Sequence, residues 1–494
     1  MNAARRSHAP MFPLLCAFAG GVLLGWWIGP PVWETAICLV ICYIMAFRLR
    51  KGRGADIYLL CAMALCGMAV TGGNEQTPPV GKRLLLNISI DDNPVDRGAY
   101  KSFSATVNDY RLAEDSLWHN ASWRVMATAD SSRQFSLGDR LCVETVLRPI
   151  ADSVSSYSAL MEARGYGGRI AIYPGTRTMY LGSNNRSLRH AALSLQKAGE
   201  QKLDSYGIQG QGFAICKAML IGRRGTLEPA LRDAYADGGA AHLLAVSGLH
   251  VGIIFALANI LLRWLTLFRR GNLMLNIAVI IVVWIYTAAT GMAVSAIRAA
   301  IMFTALQAAI ASGAIYRSAN ILSATALIMI AVNPDLLRDV SFQLSFAAVA
   351  AIIYWGVPLC RAVRSRWPVM NFFTATVAIG LTASAATIPL TAYWFDRISL
   401  IGVFLNPVVI TLAYAIVCLT LVALLLPAPW AAHAAAWIAG AQNRFVATAA
   451  GFEWAAVDFS LPGWGVVAIY AAAIAATELC KYFRQKKSVS LPAS

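Results

Sequence analysis

Charge is scarce in this sequence of 494 residues: Asp, Glu, Lys and Arg together make up 13% of it, whereas 58% is hydrophobic. The apolar residues collect in runs that repeatedly reach the roughly 20 residues needed to cross a bilayer, and the mean hydropathy is +0.58. We therefore predict a polytopic α-helical membrane protein. The net charge of +16 does not by itself indicate an anionic partner, because Lys and Arg anchor the cytoplasmic loops of membrane proteins.

Sequence signals for metal, disulfide and nucleotide chemistry are missing as well. The ten cysteines contain no CxxC pair, and only Cys142 lies well inside a long polar region, so neither a disulfide framework nor a zinc site is indicated. No cofactor is expected. The sequence has no Walker A motif of the type GxxxxGK[ST], so ATP-driven work would have to come from a partner protein.

The apolar runs set the expected topology. They lie near 11–29, 32–47, from 57 onward, 241–263, 273–291, 294–313, 319–332, 340–357, 370–390, 399–426, 430–450 and 463–483. Threading them through a membrane in turn places the main Lys and Arg clusters on the cytoplasmic side, as the positive-inside rule requires. We predict about twelve spans with both termini in the cytoplasm. The run at 430–450 would also suit a helix on the membrane surface, and a cleaved signal peptide is the alternative for the first run.

The polar region after the third run is predicted to lie outside the cytoplasm. Residues 74–182 contain five short segments, "KRLLLNISI", "YKSFSATVNDY", "SWRVMATAD", "DRLCVETVLRPI" and "GGRIAIYP". Apolar residues alternate with polar ones in these segments, which is typical of strands with one buried face. The pattern predicts a small β-barrel or sandwich, and an OB-like barrel is the fold we adopt.

Basic and aromatic residues gather towards the end of this region. Arg164, Arg169, Arg177, Tyr166 and Tyr173 combine positive charge with aromatic faces, and this combination holds single-stranded nucleic acid by charge and stacking. The alternative is that the tyrosines pack a small core and the arginines are only solvated.

Polar residues interrupt the later apolar runs. The stretch "HLLAVSGLHVGII" contains His242, Ser247, Gly248 and His250, and ionisable or polar groups at such positions face the protein interior or a wet cavity rather than lipid. Further interruptions are Ser295 and Arg298 in "GMAVSAIRAAIM", Asp339 and Gln343 in "NPDLLRDVSFQLSFAAVAAI", and Asn406 before Pro407. We predict that these side chains line one interior polar path.

Several roles remain open for these residues. Arg298 either contacts a passing anion or forms a structural pair with Asp339 or with the carbonyl groups of a broken helix. His250 either lines the path or makes an ordinary hydrogen bond between helices. Ser247 and His250 would also suit an intramembrane hydrolase, although no GxSxG nucleophile elbow surrounds the serine. A secondary transporter for a small solute is the other alternative.

The same stretches carry a resemblance. "HLLAVSGLHVGII", "SAIRAAIM", "NPDLLRDVSFQLSFAAVAAI" and "TIPLTAYWFDRISLIGVFLNPVVI" follow one another in the order and spacing of the competence domain of ComEC-type DNA-uptake proteins. The chain resembles this family closely over about 212–484, and more weakly over the front half with its OB-like domain. The resemblance implies a non-enzymatic channel that moves one strand of transforming DNA across the bacterial cytoplasmic membrane.

The resemblance also implies partners and a domain order. The expected partners are single-stranded DNA, membrane lipid, a cytoplasmic helicase-like motor and a periplasmic DNA receptor. The H-x-H-x-D-H signature of the family's metallo-β-lactamase-like domain is missing from the sequence, so a separate nuclease is expected. The expected domains are three membrane helices (1–73), the β-domain (74–182), a basic linker with an amphipathic segment (183–240), the channel domain (241–484) and a short cytoplasmic tail (485–494).

Overall fold

A computed structural model of the chain describes residues 10–29, 32–48, 53–71, 78–96, 98–112, 117–150, 158, 161–162, 165–183, 188–223, 227–312 and 317–489. The chain forms two compact units. The first comprises Met1–Arg232, Ala241–Phe346 and Ile410–Arg444, and the second comprises Asp233–Ala240, Ala347–Val409 and Phe445–Ser494.

Helices make up most of the described chain. They are α1 Met11–Ile28, α2 Val32–Arg48, α3 Arg53–Thr71, α4 Leu188–Asp204, α5 Gln211–Ile221, α6 Pro229–Asp237, α7 Gly248–Leu261, α8 Gly271–Ala289, α9 Val294–Ala311, α10 Ser318–Val332, α11 Val340–Ala351, α12 Val357–Ala362, α13 Pro368–Trp394, α14 Gly402–Leu425, α15 Pro429–Ala450 and α16 Gly463–Val489. A π-helical turn, Ile352–Gly356, joins α11 to α12.

Seven helical segments in the described part of the chain are long and apolar enough to cross a membrane. They are Met11–Ile28, Gly248–Leu267, Gly271–Ala289, Val294–Ala311, Val340–Ala362, Met370–Trp394 and Gly402–Leu425. Shorter apolar helices occur at Asp56–Thr71, Gln211–Ile221, Ser318–Val332 and Gly463–Leu479. A polytopic helical membrane protein is thereby confirmed, whereas the count of about twelve spans stays a prediction.

The first three helices pack through glycine. A Cβ atom built on Gly21 of α1 would lie 1.8 Å from the carbonyl oxygen of Ala64 on α3, and one on Gly67 of α3 would lie 2.2 Å from the carbonyl oxygen of Phe18. The two backbones therefore touch directly, a form of packing that small residues permit between membrane helices. Gly20, on another side of α1, has open space at its Cβ position.

The polar region folds as a β-sheet domain. Its strands are β1 Arg83–Ile90, β2 Val95–Asp96, β3 Tyr100–Leu112, β4 His119–Asn120, β5 Arg124–Asp130, β6 Asp139–Val146, β7 Tyr166–Ile172 and β8 Thr178–Ser183. The sheet order is β7-β5-β3-β1-β6-β8, with β2 and β4 paired to β3. Every second residue of β1 from Leu84 to Ile90 is buried, so the alternation read from the sequence is the alternation of the core.

The five predicted segments match β1, β3, β5, β6 and β7. The pair β5–β7 is parallel, and the other named pairs are antiparallel. The chain just after β6 also meets β7, because Arg148 and Arg169 form one antiparallel bridge in which each backbone N–H donates to the other residue's carbonyl at 2.9 Å.

The second unit contains a short β-ribbon between helices. Strands β9 Arg397–Ser399 and β10 Ala456–Asp458 pair antiparallel. Arg397 forms ion pairs with Asp237 at 3.1 Å and with Asp458 at 3.7 Å. The Ser399 hydroxyl donates to the Asp237 carbonyl at 2.7 Å, so the carboxyl end of α6 is held against the ribbon.

Candidate site among the membrane helices

The "SGLH" stretch marks the start of α7 inside an apolar run. A single 3₁₀ turn, Ala241–Leu243, precedes it, and the chain is extended at Ser247, where φ is −113° and ψ is 170°. The Ser247 backbone N–H donates to Nδ1 of His250 at 3.0 Å, and Ser247 and His250 form a capping box. The run at 241–263, predicted as one membrane span, is therefore interrupted, and Ser247 and His250 cap its main helix.

Capping defines the protonation of His250. A backbone N–H can only donate, so Nδ1 must accept, and the proton of the neutral ring lies on Nε2. His250 has 0% exposed surface, and Nε2 has no hydrogen-bond partner among the described residues. A donor is thus held in the interior next to the amino terminus of α7.

Helices α7 and α9 run side by side from this point. A Cβ on Gly248 would lie 3.7 Å from Cβ of Ala299, and further along the Phe255 and Phe303 rings stack at 4.5 Å. The Ser295 hydroxyl donates to the Val246 carbonyl. The first turn of α9 therefore holds the segment that leads into α7.

Arg298 links α9 to α11. Its side chain is buried, with 3% of the residue exposed, and Nη1 donates to the Ser341 carbonyl at 3.1 Å. Its guanidinium carbon lies 5.7 Å from the centroid of the Phe346 ring. One of the structural roles left open by the sequence, a bond to a helix carbonyl, is therefore present.

Asp339 and Gln343 shape the start of α11. An Asp339 carboxylate oxygen accepts the Phe342 backbone N–H at 2.8 Å, as an N-cap residue does. The Gln343 side-chain amide donates to the Leu337 carbonyl at 2.8 Å. The predicted spacing is present in the chain, but Asp339 stands before the helix and not on its face.

Three helix amino termini therefore lie together. The first turns of α7, α9 and α11 are joined by the Ser295 contact to Val246 and by the Arg298 contact to Ser341. Each helix amino terminus carries about half a positive charge from aligned peptide dipoles, and Arg298 adds a formal charge. Helix amino termini are natural anion sites, but the Asp339 carboxylate already occupies that of α11. The positive potential of the group therefore comes from α7, α9 and Arg298.

Two predicted path residues belong to elements other than α7, α9 and α11. His242 is an exposed residue of the 3₁₀ turn before α7. Asn406 belongs to the second unit, within α14 and directly before Pro407. It is buried, and its Oδ1 has no hydrogen-bond partner among the residues that the structure describes. The single path through all nine residues stays a prediction.

A second polar cluster was not predicted. The Gln307 side-chain amide of α9 donates to Oδ1 of Asn276 on α8 at 2.7 Å and to Oδ1 of Asn259 on α7 at 3.4 Å. Gln307 and Asn276 are buried. An amide inside each of three apolar runs was the available signal, and it ties α7, α8 and α9 together away from Arg298.

The candidate DNA-binding residues of the β-domain differ in their exposure and in their contacts. Tyr173 is 60% exposed, and the Arg177 side chain is 90% exposed and 3.9 Å from the Glu144 carboxylate. The Tyr166 hydroxyl donates to Ser104 at 3.2 Å, and Arg169 joins β7 to Arg148 through its backbone. Arg164 lies outside the described residues. Within the described ranges, no three His, Cys, Asp or Glu side chains are grouped to hold a metal ion.

Comparison with known proteins assigns the family. A family model described as "Competence protein" matches residues 219–483, more than half of the chain. ComE operon protein 3 of Bacillus subtilis (strain 168) is 29% identical over 225 residues, which cover 45% of this chain and 27% of that protein. The chain thus spans about a quarter of the length of this relative. No solved structure matches the chain. The matched range includes Ser247, His250, Arg298 and Gln343. The chain belongs to the Competence protein family.

Proposed function

We propose that the protein takes part in DNA uptake and is the channel that moves single-stranded transforming DNA into the cytoplasm during natural transformation. The observation that supports this most is the meeting of three helix amino termini around buried Arg298. Family membership supports the role in competence.

Moving a polyanion through lipid has a large electrostatic cost. Bare charge in hydrocarbon is very costly, so a phosphodiester chain needs water and positive potential along its way. The dipoles at the helix amino termini and one arginine supply positive electrostatic potential. They do so without many cationic side chains, which would bind the phosphates tightly and hold the substrate in place. The proposed DNA path is lined by His242, Ser247, Gly248, His250, Ser295, Arg298, Asp339, Gln343 and Asn406.

The proposed membrane arrangement has about twelve spans with both termini in the cytoplasm of a bacterial cell. The support is the distribution of Lys and Arg along the chain, together with the long and shorter apolar helices. We keep the domain boundaries at 73, 182, 240 and 484 as part of the proposal. In this arrangement α7, α9 and α11 all begin at the outer surface.

We also propose that the β-domain is an OB-like barrel that binds single-stranded DNA weakly. The parallel pair β5–β7 and the Arg148–Arg169 bridge support closure of the path β1-β3-β5-β7-β6. Exposed Tyr173 and Arg177 are the stronger DNA-binding candidates. Tyr166 and Arg169 are the weaker ones, and Arg164 is retained from the sequence alone.

Two other functions compete with this proposal. A small-solute transporter would also use a broken helix and buried polar atoms. Nε2 of His250, which has no hydrogen-bond partner among the described residues, suits it equally. An intramembrane hydrolase is disfavoured, because Nδ1 of His250 accepts the Ser247 backbone N–H and lies 3.4 Å from the Ser247 hydroxyl oxygen. A base for that hydroxyl needs this lone pair.

The test is deletion of the gene in a naturally transformable host, with DNA in the envelope and DNA in the cytoplasm measured separately. We expect DNA to accumulate outside and fail to arrive inside, and the wild-type gene to restore arrival. Unchanged arrival would contradict the channel. The proposed motor, periplasmic receptor and separate nuclease are expected to remain present and active in the deletion strain.

A further inference from the structure

The amino-terminal helices contact the helix that Arg298 holds. Phe18 and Val22 of α1 share one hydrophobic cluster with Ala326, Met329 and Ile330 of α10 and with Phe342 of α11. These α1 residues lie outside the range 219–483 that matches the family model. The contact therefore joins a part of the chain that the family match does not cover to the candidate site.

An aromatic series continues from this cluster to Arg298. The Phe342 and Phe346 rings, one helical turn apart on α11, have centroids 4.3 Å apart. The Arg298 guanidinium carbon lies 5.7 Å from the Phe346 centroid. Since packed aromatic side chains adopt few arrangements, the position of α1 against Phe342 constrains the ring on which Arg298 rests.

A second contact holds the same region from its other end. The guanidinium carbon of Arg338 lies 3.8 Å from the centroid of the Trp26 ring on α1, within the range of a cation–π interaction. Arg338 immediately precedes Asp339, which caps α11, and Ser341 follows two residues later. Trp26 thus fixes the chain just before the carbonyl that Arg298 binds.

We propose that α1 is a brace for the candidate site and that Trp26 and Phe342 are positioning residues for Arg298. The structural inference stands on these contacts, and its consequence for transport rests on the proposed function. Membrane anchoring alone does not explain the arrangement, because an anchor needs only a lipid-facing surface. Trp27, the next residue, is 85% exposed and already provides such a surface.

The adjacent tryptophans supply a matched pair of variants. Trp26→Leu removes the ring under Arg338, and Trp27→Leu removes a ring of the same size from the exposed side of α1. Hydrogen exchange of the full-length purified protein then reports on the start of α11. We expect the amides of residues 339–346 to exchange about fivefold faster in Trp26→Leu and to remain unchanged in Trp27→Leu. Equal exchange in wild type and Trp26→Leu would overturn the brace.

Transport measurements separate positioning from general stabilisation. Trp26→Leu and Trp26→Phe are combined with Arg298→Lys, and transformation frequency is divided by the amount of protein in the membrane. Positioning predicts that the losses from Trp26→Leu and Arg298→Lys do not multiply, since both act on one contact, and that Trp26→Phe recovers part of the loss. Losses that multiply would overturn the positioning role. If no Arg298 variant affects transport, the proposed path fails, and the exchange measurement still decides whether α1 is a brace.

Discussion

The crossing of α1 and α3 and the group formed by α7, α9 and α11 pack by opposite means. At the first, glycines bring backbone against backbone, so that a Cβ on Gly21 would overlap the Ala64 carbonyl. At the second, Ser295 and Arg298 donate to helix carbonyls, and Nε2 of His250 is buried without a partner in the described part of the chain. Two helix backbones in direct contact cannot move apart without losing their packing. The polar side chains of the second region, in contrast, can exchange their contacts for contacts with water or substrate.

The two regions differ in the free energy that their packing costs or contributes. A glycine crossing gains dispersion energy and leaves no polar group unsatisfied. A buried donor without an acceptor costs about 1–3 kcal/mol. Under the proposed function, the buried donor is held for contact with water or substrate, so we expect α1–α3 to serve stability and α7–α9–α11 to serve transport.

The largest effect is expected at the glycine crossing. Gly21→Ala places a methyl group 1.8 Å from the Ala64 carbonyl oxygen, so α1 and α3 must separate, at a cost of about 1–3 kcal/mol or more. We expect the amount of folded protein in the membrane to fall severalfold. Gly20→Ala is the control, because its Cβ position is open. Equal amounts of the two variants would show that the crossing is not tightly packed.

Replacement of Arg298 is expected to affect transport more than folding. If the guanidinium supplies positive charge to passing phosphates, Arg298→Lys keeps partial transport and Arg298→Gln loses at least about tenfold. Membrane abundance should be normal for both variants. Loss of abundance in both would show that the bond to the Ser341 carbonyl is needed for folding and that Lys cannot replace the planar guanidinium.

The two nitrogens of His250 can be tested separately. In His250→Asn, Oδ1 can accept the Ser247 backbone N–H in place of Nδ1, but the Nε2–H donor is lost. In His250→Gln, the amide N–H lies near the former Nε2, but the cap is lost at a cost of about 1 kcal/mol.

We expect His250→Asn to accumulate normally and to transport poorly, and His250→Gln to accumulate less and to transport better per molecule. Membrane abundance and transformation frequency are measured on the same cultures. Identical behaviour of the two variants would show that the nitrogens have no separate roles.

The sequence predicted what depends on local pattern. The strands β1, β3, β5, β6 and β7 were found because one face of each is buried and the other is not. Strand β8 was missed because neither of its faces is buried: four of its six residues, including Met179 to Leu181, are exposed, and the other two are half-buried. Polar residues in apolar runs identified most of the candidate site, since their cost in lipid is independent of the fold.

Features that depend on distant parts of the chain were not predicted. The Ser-Gly pair indicated either a close helix approach or a local break, and the sequence alone did not decide between them. The Gly21–Ala64 crossing and the stacking of Arg338 on Trp26 join segments far apart in sequence. No periodicity within one helix contains that information.

The smallest effect is expected for a glycine inside the polar group, and it tests whether glycine packing is confined to α1–α3. A Cβ on Gly248 would lie 3.7 Å from Cβ of Ala299, an ordinary contact, and the residue has no strained backbone. Gly248→Ala should therefore accumulate as wild type does, and its higher helix propensity offsets any small loss of space. Transport should change less than about twofold, because the methyl group removes no donor and no charge.

A large loss of abundance would mean that α7 and α9 approach as closely as α1 and α3 do, and the contrast between the two regions would then fail. A large loss of transport at normal abundance would instead place the Gly248 backbone itself against the moving strand.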